Sequence, residues 1–237
     1  MDFPDADETL LIATVRQFRT INRLVSRSRS LIRRHILRDA QRRGLSQITV
    51  LDVGAGGCDI GVWIAAAAAR YGIEARVICL DQDPRIIAYA RECTAQTPRV
   101  EVVEGSAAEL DHLGPVDYIF ANHFLHHLPD EVIVELLPQL ARTARYGYVL
   151  NDLRRSRLSY VGYSLLAGLF FRGSFAYYDG RLSIRRGFTK SELRRLVGDG
   201  GQAAAARVVS LTPGRLAVVA HRPGGGSAFP GIDTQRV

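Results

Sequence analysis

The stretch Val50-Leu51-Asp52-Val53-Gly54-Ala55-Gly56-Gly57-Cys58-Asp59 leaves this chain few folds to choose from. An apolar, β-rich run stops at glycines, and a helix-like alanine run follows. A second apolar run, Val77-Ile78-Cys79-Leu80, then ends in Asp81. Glycines at a strand end let the backbone turn sharply and approach a ligand with no Cβ in the way. An acid at the tip of the next strand can accept two hydrogen bonds from a ribose diol. Strand, glycine turn, helix, strand and acid in that order predict a doubly wound α/β sheet with a nucleoside-cofactor cradle.

Two cofactor classes compete for such a cradle. A dinucleotide site requires G-x-G-x-x-G, whose third glycine allows close helix–strand packing. Counted from Gly54 and Gly56, that place holds Asp59, so the fingerprint fails. It also gives no reason for Asp52, two residues before the first glycine. The Asp52-x-Gly54-x-Gly56 form with Asp81 on the following strand resembles the class I S-adenosylmethionine-dependent methyltransferases. Within them the closer likeness is to small-molecule enzymes such as those of quinone biosynthesis, on Leu125-His126-His127-Leu128-x-Asp130. The resemblance implies a seven-stranded, mostly parallel Rossmann-like sheet with a C-terminal strand hairpin, and S-adenosyl-L-methionine as cofactor.

At 237 residues the chain is one ordinary domain with room for an appendage. Apolar content of 47% with 23% charged residues marks it as globular. The longest uncharged apolar run, Leu158 to Phe171, is 14 residues and too short to cross a bilayer. Met1 to Glu8 is acidic and unlike a signal peptide. Cys58, Cys79 and Cys93 have no metal-ligand spacing and read as packing thiols in a reducing cytoplasm. The net charge of +7 is unevenly placed. Residues 11 to 45 carry ten Arg and one acid, and residues 46 to 150 seven Arg and fourteen acids; residues 151 to 237 carry fourteen Lys plus Arg against five acids. An acidic core is therefore flanked by basic segments that nucleic acid or an anionic membrane could use. Aromatic residues make up only 8%, and the basic N-terminal segment has one, Phe18, so a base-stacking platform is not expected.

Along the chain, Leu11, Val15, Phe18 and Val25 fall at helical steps and make an amphipathic stripe; Leu31, Ile32, Ile36 and Leu37 make a second, and Gly44 ends it. From Ile48 the pattern alternates. Strands are expected at Ile48 to Val53, Arg76 to Leu80, Val100 to Glu104, Val116 to Ala121 and Gly147 to Leu150. Helices are expected at Ile60 to Arg70, Pro84 to Cys93 and Glu131 to Thr143. Such alternation predicts parallel strands joined by right-handed crossovers. Thr189-Lys190-Ser191-Glu192 is a capping-box start, and Thr212-Pro213-Gly214 separates two short strand patterns as a hairpin would.

Residues 153 to 188 break the alternation with an apolar, aromatic-rich block that includes Tyr160, Tyr163, Phe171 and Tyr178. Placed after the fifth strand, it would sit over the carboxyl edge of the sheet, where ligands bind. The expected organisation is a helical lid over 1–45, a cofactor-binding core over 46–152 and a lid insertion over 153–188. A C-terminal helix and strand hairpin of the core follow over 189–222, and a loose tail over 223–237.

Strand four runs into Asn122-His123-Phe124-Leu125-His126-His127. His123 and His127 stand four apart, the spacing of a helical metal pair. No glutamate follows His123 and no third ligand has suitable spacing, so no metal is expected. Methyl transfer asks mainly for in-line placement of the acceptor at roughly 3 Å. A phenol or enol must also lose a proton, which a neutral imidazole can accept. His126 is the first candidate base and His123 the second; helix capping or packing is the competing reading of each.

The resemblance places the cofactor along Asp52, Gly54, Ala55 and Gly56, at Asp81 and Gln82 on the second strand, and at Gly105, Ser106, Ala107 and Asn122. His127, Tyr160, Tyr163, Phe171 and Tyr178 would then face the acceptor. Two departures stand out. Glu104-Gly105-Ser106-Ala107 has a serine where many relatives carry an acid that reaches the adenine, and Cys58 replaces a third glycine. Ile21-Asn22-Arg23 and Asn151-Asp152-Leu153-Arg154-Arg155-Ser156-Arg157 resemble a bacterial subgroup associated with polyketide-derived aromatics. The expected activity is methylation of a small apolar or aromatic acceptor, quinone- or polyketide-like, on oxygen before carbon. The rival is a non-catalytic adenosylmethionine-binding partner protein. A small-molecule acceptor, no nucleic acid and at most weak peripheral membrane contact are expected, with a homodimer left open.

Overall fold

The computed structural model describes residues 7–170 and 175–222, and the expected loose tail lies outside them. Seven strands form one sheet in the order β3-β2-β1-β4-β5-β7-β6. They are β1 (Gln47–Val53), β2 (Glu74–Asp81), β3 (Val100–Glu104), β4 (Val116–Asn122), β5 (Ala144–Leu153), β6 (Ala206–Leu211) and β7 (Arg215–His221). Strands β1 to β5 pair in parallel, and β7 is antiparallel to both β5 and β6. The strand number, the parallel core and the C-terminal hairpin are those expected.

Neighbouring residues along the central strands enter opposite cores, as the period of two requires. Val50, Val77 and Tyr118 belong to one buried cluster, and Leu51, Ile78 and Ile119 to the other. Both faces are covered, so these strands read as continuous apolar runs. On the first face lie α2 (Ser28–Ile32) and α4 (Asp59–Ala68), through Leu31, Ile32, Ile36, Leu37 and Ile64. A π-helical turn over Arg33–Leu37 joins α2 to α3 (Arg38–Arg42). On the other face, α6 (Asp130–Thr143) and α9 (Lys190–Asp199) bury Leu136, Leu140, Leu193 and Leu196. The capping box at Thr189 forms: its Oγ1 accepts from Glu192 N, and Glu192 accepts from Thr189 N at 2.8 Å.

Helix α1 (Glu8–Leu24) lies across the carboxyl edge of the sheet. Leu11 and Val15 pack on Ile86 and Tyr89 of α5 (Pro84–Thr94). Phe18, Ile21 and Val25 pack on Tyr163, Ala167, Ala176 and Tyr177. The apolar stripe is thus spent on internal contacts. Several of its arginines lie over rings: Arg16 over Tyr89, and Arg29 and Arg33 of the next turns over Trp63. Residues 157–170 and 176–186 form two helices, α7 (Arg157–Phe170) and α8 (Ala176–Arg186), packed together where the sequence suggested one apolar block. Among the described residues no helix is long and apolar enough to cross a membrane.

Candidate active site

The first strand ends in a loop whose backbone only glycine adopts easily: φ is +65° at Gly54 and +55° at Gly56. A Cβ on Gly54 would sit 2.6 Å from Phe124 Cδ2, whereas one on Gly56 would meet nothing within 4 Å and project into open space. The loop lines a cavity of about 430 Å³ at the carboxyl ends of β1, β2 and β4. Gly54, Ala55, Gly56, Asp81, Gln82, Gly105, Ser106, Ala107 and Asn122 all line it.

The acids divide the work. Asp81 ties the loop to β2: its Oδ2 accepts from Gly56 N at 2.9 Å and its Oδ1 from Asp83 N at 3.2 Å. The backbone of Gln82 is a third donor to this carboxylate. Asp52 lies beneath the loop, 2% exposed, and is not on the cavity wall. Its Oδ2 has no hydrogen-bond partner. Burial, with the charges of Asp59 and Asp81 nearby, pushes Asp52 well above the usual carboxylate range. Burial also raises Asp59 and Asp81. A glycine-lined cradle with Asp59 and Asp81 on its wall, and Asp52 buried close by, fits a ligand that is cationic and carries a sugar diol. Ser106 lines the cavity but directs its Oγ to Ala108 N at 3.2 Å.

On the other side of the cavity, β4 gives way to a 3₁₀ turn, Leu125–His127. His126 and Asp152 are both about 1% exposed at the side chain, with Nδ1 and Oδ1 2.6 Å apart. Asp152 Oδ2 also accepts from His126 N at 3.2 Å, and its Oδ1 from Leu153 N at 2.6 Å. Burial alone would raise Asp152, but His126 and these two backbone donors hold it below the usual carboxylate range. Beside an ionised Asp152, Nδ1 is the donor of this pair, which fixes the ring with Nε2 on the side away from the carboxylate. His126 lines the cavity, and its buried Nε2 has no hydrogen-bond partner.

His123 does not share that arrangement. Its φ is +57°, and its Nε2 accepts a hydrogen bond from Arg215 Nη1. Burial, Arg215 and the two neighbouring histidines keep it well below the ordinary imidazole value. Its lone pair is occupied, so the geometry does not offer it as a base. It precedes the 3₁₀ turn, so the helical pair with His127 does not form. His127 lines the cavity, with its ring centroid 4.2 Å from that of His126.

The expected aromatic contacts need correction. Tyr160, Tyr163 and Tyr178 are not among the residues lining the cavity, and Phe171 lies outside the described residues. Tyr160 Oη accepts from Arg181 Nε at 2.9 Å, and Tyr163 Oη donates to Ala176 O at 2.5 Å, so both hold α7 to α8. Tyr178 is 72% exposed. The walls come instead from Phe18 on α1, Val132 and Glu135 on α6, and Leu182 and Ser183 on α8.

A polar chain joins the two sides. Asn22 donates to Asp59 Oδ1 at 3.1 Å and accepts from Asn122 Nδ2 at 2.8 Å. Asn151 Nδ2 donates to Asn122 Oδ1 and to Ser26 O, each at 2.7 Å. Asn22, Asn151, Asp152 and Arg215 carry no sequence signal as site residues, since their partners lie tens of residues away. The strings around Asn22 and Asp152 were the one trace of them.

The family model described as "Methyltransferase domain" matches residues 50–147. Over these residues the chain is similar to that family. The chain is 35% identical over 102 residues to a trans-aconitate 2-methyltransferase of Azoarcus sp. (strain BH72), covering 43% of this chain and 37% of that enzyme. The chain thus matches little more than a third of that relative's length. An O-methyltransferase family protein of Burkholderia thailandensis superposes with a TM-score of 0.64 at 15% identity, over 93% of this chain and 61% of that one. Magnesium protoporphyrin IX methyltransferase of Synechocystis PCC 6803, solved with bound SAH, gives 0.55 at 18% identity over 84% of each chain. The whole sheet has the Rossmann-like fold of these solved structures.

Proposed function

We propose that the protein is an S-adenosylmethionine-dependent methyltransferase acting on the hydroxyl of a small, partly apolar acceptor, with His126 as general base and Asp152 as its positioning residue. When bound, the cofactor would supply a methyl group on an electrophilic sulfonium. Gly54 and Gly56 would admit it, Asp81 would offer its carboxylate to the ribose, and Asp52, Asp59 and Asp81 together would favour its positive charge. The acceptor would lie between Phe18, Leu182 and His126. His126 Nε2 would take the hydroxyl proton as the oxygen bonds to the methyl carbon and the carbon–sulfur bond breaks.

One observation supports the choice of acceptor: the buried Asp152–His126 pair, whose Nε2 has no hydrogen-bond partner, on a residue that lines the cavity. A carboxylate, with an ordinary pKa near 4, is already ionised at neutral pH and needs no base, whereas a phenol near 10 does. The dyad therefore favours a hydroxyl acceptor over a carboxylate such as the trans-aconitate named for the Azoarcus relative. Incubation with methyl-labelled cofactor and parallel panels of phenols and carboxylic acids, read by product mass and fragmentation, tests this. Methyl ethers of phenols are expected. A methyl on ring carbon would reassign the same base to carbon methylation. Tight cofactor binding without product from any panel or cell extract would favour the non-catalytic partner.

A further inference from the structure

His221 pairs with Gly147, at the amino end of the parallel strands, while the glycine loop lies at their carboxyl end. Here the second N-terminal helical segment crosses the end of β7. Leu31, Ile32, Ile36, Leu37 and Ala40 are buried, which leaves Arg34, Arg38 and Arg42 exposed on the other face. The π turn over Arg33–Leu37 is a local departure of a kind that recurs at functional sites. It carries His35, whose Nδ1 is 3.1 Å from His221 Nε2. Arg34, His35, Arg38, Gln41, Arg42 and His221 line a second, open cavity of about 530 Å³.

Every charged side chain on that wall is a cation. The acid nearby, Asp39, has one oxygen engaged elsewhere and the other toward this site: its Oδ2 accepts from Tyr118 Oη at 2.8 Å and from Arg43 Nε at 2.6 Å. Its Oδ1 stands 3.8 Å from Arg42 and 3.9 Å from His221 Nδ1. His221 Nδ1 is buried with no hydrogen-bond partner. Guanidinium forks match phosphate oxygens in pairs. From Arg34 to Arg42 the helix rises about 12 Å, longer than one phosphate group and suited to several linked ones.

We propose that this cavity is a second ligand site, for a small oligophosphate, clamped by Arg34, Arg38 and Arg42 over the His35–His221 pair. It is independent of the methyl-transfer cleft. Burial, His221, Arg34 and Arg42 hold His35 down to about 4, against the pull of Asp39. Burial, Arg43 and Arg42 likewise lower His221, again against Asp39. A bound anion offsets these cations and raises both imidazoles, so binding takes up protons and strengthens as pH falls.

Calorimetry of the full chain with pyrophosphate, in a phosphate-free buffer with and without S-adenosylhomocysteine, tests the site. One-to-one binding indifferent to S-adenosylhomocysteine is expected, several-fold tighter at pH 6 than at pH 8. Arg34→Gln and Arg38→Gln should each weaken it about tenfold, the size of a lost charge-assisted hydrogen bond. Arg194→Gln, an exposed arginine on α9, should leave it unchanged. No heat at millimolar pyrophosphate, competition by S-adenosylhomocysteine, or equal effects of Arg38→Gln and Arg194→Gln would overturn the proposal. So would binding of RNA or anionic vesicles without binding of pyrophosphate, which would make the face a macromolecular contact.

Discussion

The two halves of the cleft are built differently. The glycine-loop half is made of backbone: two positive-φ glycines, amide groups held by Asp81, and an open space where a side chain would stand. The histidine half is made of side chains brought from far apart, with His126 held by Asp152 and Asn122 by Asn22 and Asn151. Backbone geometry dictates residue type locally, so a binding half of this kind can be read in ten residues. A side-chain half depends on the packing of four elements and leaves little trace in sequence. The contrast also predicts that the two halves fail separately.

The largest effect is expected in the histidine half. His126→Gln should cut turnover by about 10²–10⁴, the usual worth of a general base, with cofactor affinity nearly unchanged by calorimetry. Asp152→Asn should give a large part of that loss by releasing the imidazole from its tautomer. Equal weakening of cofactor binding in both variants would mean that the halves are one unit.

Next comes the loop. Gly54→Ala and Gly56→Ala each force an alanine to positive φ, about 1 kcal/mol in stability. Gly54→Ala also drives a methyl to 2.6 Å from the Phe124 ring and should cost more in thermal unfolding. Gly56→Ala should show only that backbone cost but bind cofactor many-fold more weakly, because Gly56 lines the cavity. If the order of the two stability losses is reversed, the reading of the loop fails.

A third, smaller effect lies outside the cleft. His35 titrates at about 4 when folded and 6.5 when unfolded. Its folded value is depressed, so between those values the unfolded chain binds more protons. Stability should therefore climb from pH 4 to 6.5 and level off above, and His35→Gln should flatten that climb in urea titrations without phosphate. The smallest effect belongs to Tyr178→Ala. At 72% exposure and away from the cavity wall, it should change acceptor KM and stability within error.

The sheet was legible because its strands alternate between two apolar cores, and the order of glycine loop and acid marks its carboxyl edge. β5 reads as Gly147 to Leu150 but runs over Ala144–Leu153, because Asn151 and Asp152 look like a strand end. They remain in the sheet, buried, with Asn151 Nδ2 bonded to Asn122 and Asp152 to His126. The tyrosines misled in the opposite sense. Aromatic density signalled an acceptor wall, yet Tyr163 packs where Gly180 leaves room for it, and Tyr160 takes the arginine of the next helix. Composition cannot distinguish a lid that packs on itself from one that touches ligand. Asp81 was found at its place, but its bonds to the glycine-loop backbone depend on a strand-to-loop register that spacing alone does not reveal.

The central claim is that the Asp152–His126 pair makes a hydroxyl nucleophile beside a backbone-built cofactor cradle. Mass analysis of methyl transfer by wild type and His126→Gln, on matched phenol and carboxylate panels at saturating cofactor, tests it most directly. The account predicts phenol ethers from wild type, a loss of at least about a hundredfold in the variant, and no preference for carboxylates. Carboxylate esters formed equally fast by both proteins would contradict it.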